Sequence, residues 1–191
     1  MLYSYRKNFE CCVSNASRGL LQLAESAVMK GTRDSSIAIN LYIPGNTSVN
    51  LSNGRKIILK TQTDYPETGK IQIKIQTQNS VRFPIKLRIP PWSKQTMVRV
   101  NGKTFESIEE GTYLTIKRKW RSGDQIQINL DTRPRIIPFK GTSNSIAYKR
   151  GPVILARSTK IGNRIDFPVM PKVPKDGIAD LNRVDAPGGI W

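Results

Sequence analysis

Short runs of alternating apolar and polar residues recur along most of this sequence from residue 36 onward, with turn residues between them. A period of two places every second side chain on the same face of an extended chain, so each run predicts a strand with one buried face. The turns include Asn53-Gly54, Asn101-Gly102 and Gly123-Asp124, which favour tight connections between neighbouring strands. Regular alternation of this kind predicts a mainly β fold, an antiparallel β-sandwich. The predicted strands cover residues 37–42, 56–61, 70–76, 83–89, 97–100, 113–116, 125–130, 135–138 and 145–153.

A single helical pattern precedes the strands. Apolar residues near a 3.6-residue period predict a helix over residues 16–30, with Asn15 as its N-cap and Gly31 as its end. An apolar-faced helix needs a partner to pack on, and the sequence offers no second helix of comparable quality. After about residue 160, prolines and glycines interrupt any periodicity, which predicts a tail or a partial element.

The chain is strongly basic. Its 191 residues include 31 Lys and Arg against 14 Asp and Glu, which gives a formal charge of +17. Many basic residues alternate with apolar ones, as in residues 70–75 and 86–89, and this spacing is typical of a solvated sheet face. Dense basic runs interleaved with stacking aromatics do not occur, so the pattern favours a solvated basic surface over a specific nucleic-acid interface. A weak, salt-sensitive attraction to polyanions is still expected.

Membrane insertion is not predicted. No apolar run reaches the length of about 18 residues that a membrane span needs, and residues 1–10 lack the apolar segment of a signal peptide. We therefore expect a soluble chain without membrane contact, and the sequence leaves its compartment unknown.

Cys11 and Cys12 are the only cysteines, they are adjacent, and the sequence contains no histidine. Thiol chemistry is therefore confined to residues 11 and 12, and acid-base catalysis within this chain cannot use imidazole. Two adjacent cysteines would close a small, strained disulfide ring, so a reduced or a metal-bound pair is expected. An inert apolar pair at the start of a helix is the alternative interpretation.

A set of short motifs follows the cysteines in a specific order. Each motif is weak alone, but the order and spacing together are specific. Taken in this order, the motifs resemble the glycoside hydrolase family 127 proteins, the β-L-arabinofuranosidase type, over about residues 9–155. The motifs are Cys11-Cys12 with Asn15 and Arg18, Ile39-Asn40-Leu41-Tyr42-Ile43-Pro44, Thr63-Asp64-Tyr65-Pro66 with Gly69, Leu87-Arg88-Ile89-Pro90-Pro91-Trp92, Val100-Asn101-Gly102, Gly111 to Asp124 with Trp120, and Tyr148-Lys149-Arg150-Gly151-Pro152-Val153.

The resemblance implies an enzyme with an (α/α)-barrel catalytic domain followed by β-sandwich domains, which hydrolyses a terminal L-arabinofuranoside with retention of configuration. It implies that Cys11 is the nucleophile and that Cys11 and Cys12 bind zinc with a third cysteine and a glutamate. Another glutamate is implied as acid and base, and these remaining groups are expected upstream, on the barrel. Glu10 is the one local candidate ligand, but the neighbour of a ligand points elsewhere unless the backbone turns sharply.

The expected domains are a C-terminal remnant of the catalytic barrel (1–31), a β-sandwich (32–157) and a Pro/Gly-rich tail or partial element (158–191). The expected function is that of a C-terminal fragment of a retaining glycoside hydrolase. Its partners would be an L-arabinofuranosyl-containing glycan and the missing N-terminal barrel, and the fragment would be inactive alone.

Two other functions stay open: a stand-alone β-sandwich module that binds carbohydrate or is structural, and a basic nucleic-acid binder. Trp92 and Trp120 are expected to anchor the sandwich rather than to stack on sugars. The acidic residues near predicted turns are expected to cap those turns. Asn15 and Arg18 are expected to brace the cysteines.

Overall fold

A computed structural model describes residues 10–32, 34–138, 146–155 and 175–181 of the chain. These residues form one helix and thirteen strands. In chain order they are α1 (Glu10–Ala27), β1 (Val28–Lys30), β2 (Ile37–Ile39), β3 (Gly45–Asn50), β4 (Lys56–Thr63), β5 (Lys70–Thr77), β6 (Val81–Arg88), β7 (Met97–Val100), β8 (Lys103–Phe105), β9 (Tyr113–Trp120), β10 (Gln125–Asn129), β11 (Pro134–Pro138), β12 (Ile146–Arg150) and β13 (Val153–Leu155).

The strands form three sheets. The first sheet has the order β1-β2-β6-β9, the second has the order β3-β4-β5-β10-β7-β8, and the third has the order β11-β12-β13. Every neighbouring pair is antiparallel except β2 and β6, which run parallel with Ile37 opposite Ile85. The predicted mainly β fold is confirmed, and the parallel pair is its one departure among the described strands from a fully antiparallel arrangement.

The core lies between the first and second sheets, because each sheet turns its apolar alternate residues inward. Trp120 is fully buried there, its indole Nε1 donates a hydrogen bond to the Phe83 carbonyl at 3.0 Å, and the two rings lie 6.1 Å apart. Trp92 is partly buried against the same core. Both tryptophans thus anchor the sandwich, as the sequence predicts. The largest fully buried side chains are Trp120, Phe83, Ile37, Ile39, Ile57, Leu59, Ile73, Ile75, Ile85, Leu87, Ile89 and Ile126.

The helix prediction is wrong at both ends. The helix predicted over residues 16–30 is observed as Glu10–Ala27, so Asn15 lies inside it and is not its N-cap. Residues Val28–Lys30 form a strand instead, because their backbone pairs with β2 at the edge of the first sheet. Hydrogen bonding to a preformed sheet edge overrides the local helical period there.

Three strand assignments also needed tertiary information. Gly45–Asn50, which lies outside the predicted strands, forms β3, and β8 also lies in a stretch without a predicted strand. The run predicted over residues 145–153 is split into β12 and β13 by a turn at Gly151, where φ is +58°. Gly151 also lies under Trp92, where an added Cβ would come within 3.4 Å of the indole ring. The predicted tail lies outside the described residues except for 175–181, where Ile178 bridges to Arg135 of β11.

The segment that joins the sandwich to the third sheet is fastened by Asp131. Its carboxylate is almost fully buried and accepts hydrogen bonds from Arg133 Nε at 2.8 Å, Arg133 Nη2 at 2.9 Å and Arg135 Nη2 at 2.7 Å. Its backbone N–H donates to Ser93 Oγ at 2.8 Å. The two guanidinium groups hold the pKa of Asp131 at about 2, below its ordinary value of 3.8.

Gly69 immediately precedes β5, and its lack of a side chain lets the backbone approach Leu130, the residue that follows β10. A Cβ built on Gly69 would lie 2.0 Å from the Leu130 carbonyl oxygen, and the Leu130 N–H donates to the Gly69 carbonyl at 2.9 Å. The obstacle is backbone, which cannot move aside as a side chain can. Gly69 therefore sets the spacing of two central strands.

We expect Gly69→Ala to destabilise the chain by about 1–3 kcal/mol, because the added methyl group must push the Leu130 backbone away. Gly19→Ala is a matched control of opposite sign: Gly19 lies in α1 with open space around it, so alanine there should stabilise by about 0.5–1 kcal/mol. Urea unfolding of the two variants measures both effects, and equal midpoints would contradict the proposed crowding at Gly69.

Lowering the pH from about 4 to about 2 should weaken the junction at Asp131. A carboxyl group whose pKa is lowered by folding stabilises the folded chain at pH values above its ordinary pKa, and this contribution is lost as the group is protonated. We expect the stability difference between wild type and Asp131→Asn to be on the order of 1 kcal/mol near pH 5 and to shrink toward pH 2. Urea unfolding at a series of pH values checks this. Asp180→Asn, an exposed substitution, is the control, and an unchanged difference across the series would contradict the assignment.

Candidate functional site

Helix α1 carries both cysteines near its first described residue, Glu10. Cys11 and Cys12 occupy consecutive positions of this helix, and consecutive positions of an α-helix are about 100° apart around its axis. Cys11, Asn15 and Arg18 stand at positions i, i+4 and i+7, which lie on one face. The bracing of the cysteines by Asn15 and Arg18 stays a prediction, because the cysteine side chains lie outside the described residues.

The opposite end of α1 is tied to the first sheet by hydrogen bonds. The Ala27 carbonyl accepts from the backbone N–H of Asn40 at 2.8 Å and of Leu41 at 3.2 Å. The Asn40 side chain donates to the Ser26 carbonyl at 2.9 Å and accepts from Tyr113 Oη at 2.7 Å. Carbonyls at a helix C-terminus have no partner within the helix, so these contacts both satisfy them and fix the direction of the helix.

A rise of about 1.5 Å per residue puts Cys11 about 24 Å along the axis from Ala27. The apolar side chains on this stretch are exposed: Leu20 by 69%, Leu21 by 70% and Leu23 by 50%. None of them reaches the core of the sandwich. The helix therefore projects from the edge of the first sheet with an apolar face that no described residue covers.

Two tyrosines, Tyr42 and Tyr65, pack together at the loop that follows β2. Tyr42 is buried, donates to the Arg88 carbonyl at 2.7 Å and lies edge-on to Tyr65 with ring centroids 6.4 Å apart. Burial raises the pKa of Tyr42 and of Tyr65, so both phenols stay neutral. Their role is to support the loop that carries Asn40.

The cysteine pair supplies two soft donors, which suit zinc, and a structural or catalytic zinc site takes three or four protein ligands. Within the described ranges, no group of three or more His, Cys, Asp or Glu residues could hold a metal ion. The residue types of the pair, two thiols, fit half of such a site, and their side chains lie outside the described residues. The side chain of Glu10, the local candidate ligand, lies outside the described residues.

Several acidic side chains are engaged elsewhere. Asp34 pairs with Lys86 at 2.7 Å and Glu110 with Lys94 at 2.5 Å, and the hydrogen bond from each lysine lowers the pKa of its carboxyl group. Asp124 accepts from the Arg121 backbone N–H and from Asn101 Nδ2, which closes two turns. The capping role predicted for Asp124 is thus confirmed.

Two of the grooves on the described surface have volumes of about 600 Å³ or more. One, of about 680 Å³, runs between the Asp131 junction and the third sheet, past Glu67 and Arg150. The other, of about 600 Å³, crosses the outer face of the second sheet beside Gln72 and Arg99. The sequence analysis missed this second groove, although the alternating Lys and Gln of residues 70–76 signalled the polar face that forms it.

No described helix combines the length and the apolar character needed to cross a membrane.

Comparison with known proteins identifies the family. The family model described as "Beta-L-arabinofuranosidase, GH127 middle domain" matches residues 36–132. No curated protein matches the chain.

Solved structures share the fold. A GH127 beta-L-arabinofuranosidase from Geobacillus stearothermophilus T6 is 21% identical with a TM-score of 0.68, over 75% of this chain and 23% of its own. A GH127 beta-arabinofuranosidase is 31% identical with a TM-score of 0.67, over 75% of this chain and 25% of its own. A third structure, titled a glycoside hydrolase, is 25% identical with a TM-score of 0.69, over 77% of this chain and 25% of its own.

The chain therefore spans about a quarter of the length of these solved structures. The matched residues 36–132 include all strands of the second sheet and three of the four strands of the first. The chain belongs to glycoside hydrolase family 127, of which it carries the middle β-domain.

Proposed function

We propose that this chain is part of a retaining glycoside hydrolase that releases a terminal L-arabinofuranosyl unit, with Cys11 as its nucleophile. The observation that carries the proposal is the arrangement of one helix and one domain: α1 bears the cysteine pair and leads directly into the family's middle β-domain. The substrate class follows from the names of the structural relatives, which are beta-arabinofuranosidases.

The geometry of α1 supports this role. The helix is held at its C-terminal end by Ala27 and Asn40, while its cysteines lie about 24 Å away along the axis. The exposed leucines between these two ends offer an apolar surface of the kind that packs against other helices. We infer that a helical catalytic domain covers this surface and that the sandwich holds α1 at a fixed angle to it.

The proposed reaction has two displacements. The Cys11 thiolate attacks the anomeric carbon, a C–S bond forms, the glycosidic C–O bond breaks, and the leaving oxygen takes a proton from a carboxylic acid. Water then attacks the same carbon, the C–S bond breaks and returns the thiolate, and the carboxylate recovers a proton from the water. Two inversions give net retention. The resemblance places the acid-base glutamate upstream, on the barrel.

Cys11 and Cys12 would hold the zinc ion together with donors from the catalytic domain. When bound, zinc keeps a coordinating thiol deprotonated at neutral pH. Asn15 and Arg18 share the face of Cys11 and would orient it, and the positive charge of Arg18 favours the thiolate.

Asn40→Ala should loosen the C-terminal turn of α1, because it removes the hydrogen bond to the Ser26 carbonyl and the one from Tyr113. We expect amide hydrogen exchange in residues 24–27 to accelerate by about fivefold for each hydrogen bond lost. Tyr113→Phe removes only the second bond and should give the smaller effect. Equal exchange in wild type and both variants would contradict the anchoring role.

Cys11→Ser should abolish turnover in a complete enzyme. We suggest a chimera in which this chain replaces the corresponding part of the 31%-identical beta-arabinofuranosidase, assayed with an aryl β-L-arabinofuranoside. We expect Cys11→Ser to lower kcat by on the order of a thousandfold or more, since the nucleophile is lost. Cys12→Ser should also lower metal content, whereas Glu25→Gln, on the same helix, should leave both unchanged.

A second measurement does not need the chimera to fold. Cobalt added to the 191-residue chain with reductant should produce a thiolate charge-transfer band that weakens in either single serine variant, and the chain alone should not hydrolyse the substrate. Turnover that survives Cys11→Ser would refute the nucleophile, and turnover by the chain alone would refute the need for a catalytic partner domain.

A further inference from the structure

The charges on the sheets are all of one sign. No Asp or Glu occurs in any of the thirteen described strands, so the carboxylates of the described residues lie in loops and in α1. On the outer face of the second sheet, Lys60, Lys74 and Arg99 stand among glutamines and asparagines. This outer face is defined by the outward residues of β4, β5, β10 and β7, and we call it the amide face.

One row of side chains crosses the amide face from strand to strand. In the register, Gln62 is opposite Gln72, Gln72 is opposite Gln127, and Gln127 is opposite Arg99. Strands lie about 4.8 Å apart, so this row spans about 14 Å across four strands. The row therefore consists of three consecutive amides followed by a guanidinium group. No side-chain hydrogen bond joins Gln62 or Gln127 to another described residue.

The neighbouring row is cationic. Lys60 lies directly opposite Lys74, and Lys74 opposite Gln125. Like charges that face each other across a strand pair destabilise a sheet, and neither lysine forms an ion pair with a described residue. Gln72 Nε2 donates to Gln125 Oε1 at 3.0 Å and so ties the two rows together. An anion bound beside Lys60 and Lys74 would offset this repulsion and so stabilise the sheet.

The amide face is grooved. The groove of about 600 Å³ is lined by Gln62, Gln72, Gln127, Asn129, Arg99 and Lys70, with Asp64 at its rim as the one acidic residue among the described residues that line it. The groove therefore presents amide donors and acceptors beside fixed positive charge.

A protein partner fits this surface poorly. Protein interfaces are depleted in lysine and enriched in large apolar residues at their centres, whereas Met97 is the one exposed large apolar side chain that lines the groove in the described part of the chain. Nucleic acid fits less well than a sugar polymer, since phosphates accept hydrogen bonds only and would leave the amide oxygens unmatched. No aromatic side chain lines the groove to stack on bases.

We propose that the amide face binds an acidic polysaccharide, a chain of hydroxyl-rich sugars that carries carboxylate groups. Hydroxyl groups both donate and accept hydrogen bonds, which matches the amides of Gln62, Gln72 and Gln127. Carboxylates match Arg99, whose guanidinium can bind them with two parallel hydrogen bonds, and the lysine pair. The row is long enough for several linked sugar units.

The site is separate from the cysteine helix. Helix α1 leads into β1 of the first sheet, whereas the amide face is the outside of the second sheet. The choice of a sugar polymer rests in part on the proposed function. A hydrolase that acts on a glycan would bind the polymer more tightly if a second site contacted the same chain. The binding itself requires no catalysis, so the two proposals can fail independently.

The test is the affinity of the purified 191-residue chain for polygalacturonate, measured by titration calorimetry at physiological salt. We expect the double variant Arg99→Ala/Gln127→Ala to bind about tenfold or more weakly, since it removes a charge-assisted contact and a neutral one. The matched control is Lys117→Ala/Lys119→Ala on the outer face of the first sheet, which removes more charge and should change the affinity by less than about twofold.

Unchanged unfolding midpoints establish that both double variants fold, as expected for exposed positions. Fully methyl-esterified polygalacturonate, which lacks the carboxylates, should bind more weakly than the acid form. The proposal is overturned if the chain does not bind polygalacturonate, if the two double variants weaken binding equally, or if oligothymidylate binds more tightly with the same dependence on Arg99. Each of these results leaves the Cys11-dependent hydrolysis to be decided by its own assay.

Discussion

The apolar layer between the two larger sheets is the constraint on which the rest of the structure depends. Most strands of these two sheets have one face of isoleucine, leucine, valine or aromatic side chains, and face-to-face packing of the two sheets removes these faces from water together. Trp120 and Phe83 are the largest fully buried side chains of the layer, and their ring centroids lie 6.1 Å apart. Every other feature is attached to an edge or an outer face of this sandwich.

Helix α1 is fixed to the β-domain at its C-terminal end. Its C-terminal carbonyls bind Asn40, and Asn40 in turn is held by Tyr113 of β9, so the orientation of α1 depends on the first sheet. A nucleophile must be held within a fraction of an ångström of its productive position, and residues on rigid elements meet that requirement better than residues on loops. In the proposed enzyme, the sandwich that holds the C-terminal end of α1 would provide this rigidity.

The two sheets use their outer faces differently. On the outer face of the first sheet, Lys86 pairs with Asp34 at 2.7 Å. The second sheet leaves Lys60, Lys74 and Arg99 without carboxylate partners among the described residues and surrounds them with amides. The net charge of +17 does not distinguish the two outer faces, because the same charge is compatible with a basic surface that binds nothing.

The sequence by itself determined the fold class, most of the strands and the family. Alternation in residues such as Lys70–Thr77 allows only one face of the strand to be buried, and the order of the motifs is sufficient to identify the family. The cysteine pair was also evident, although its zinc site and its catalytic role stay proposals.

Only the tertiary structure decided where the helix ends, which strands are neighbours, and which polar residues meet. Val28–Lys30 became a strand because β2 offers it an edge, and Gln62, Gln72, Gln127 and Arg99 form one row because β4, β5, β10 and β7 are neighbours. These contacts join residues far apart in the chain, and a local period carries no information about which distant strand completes it.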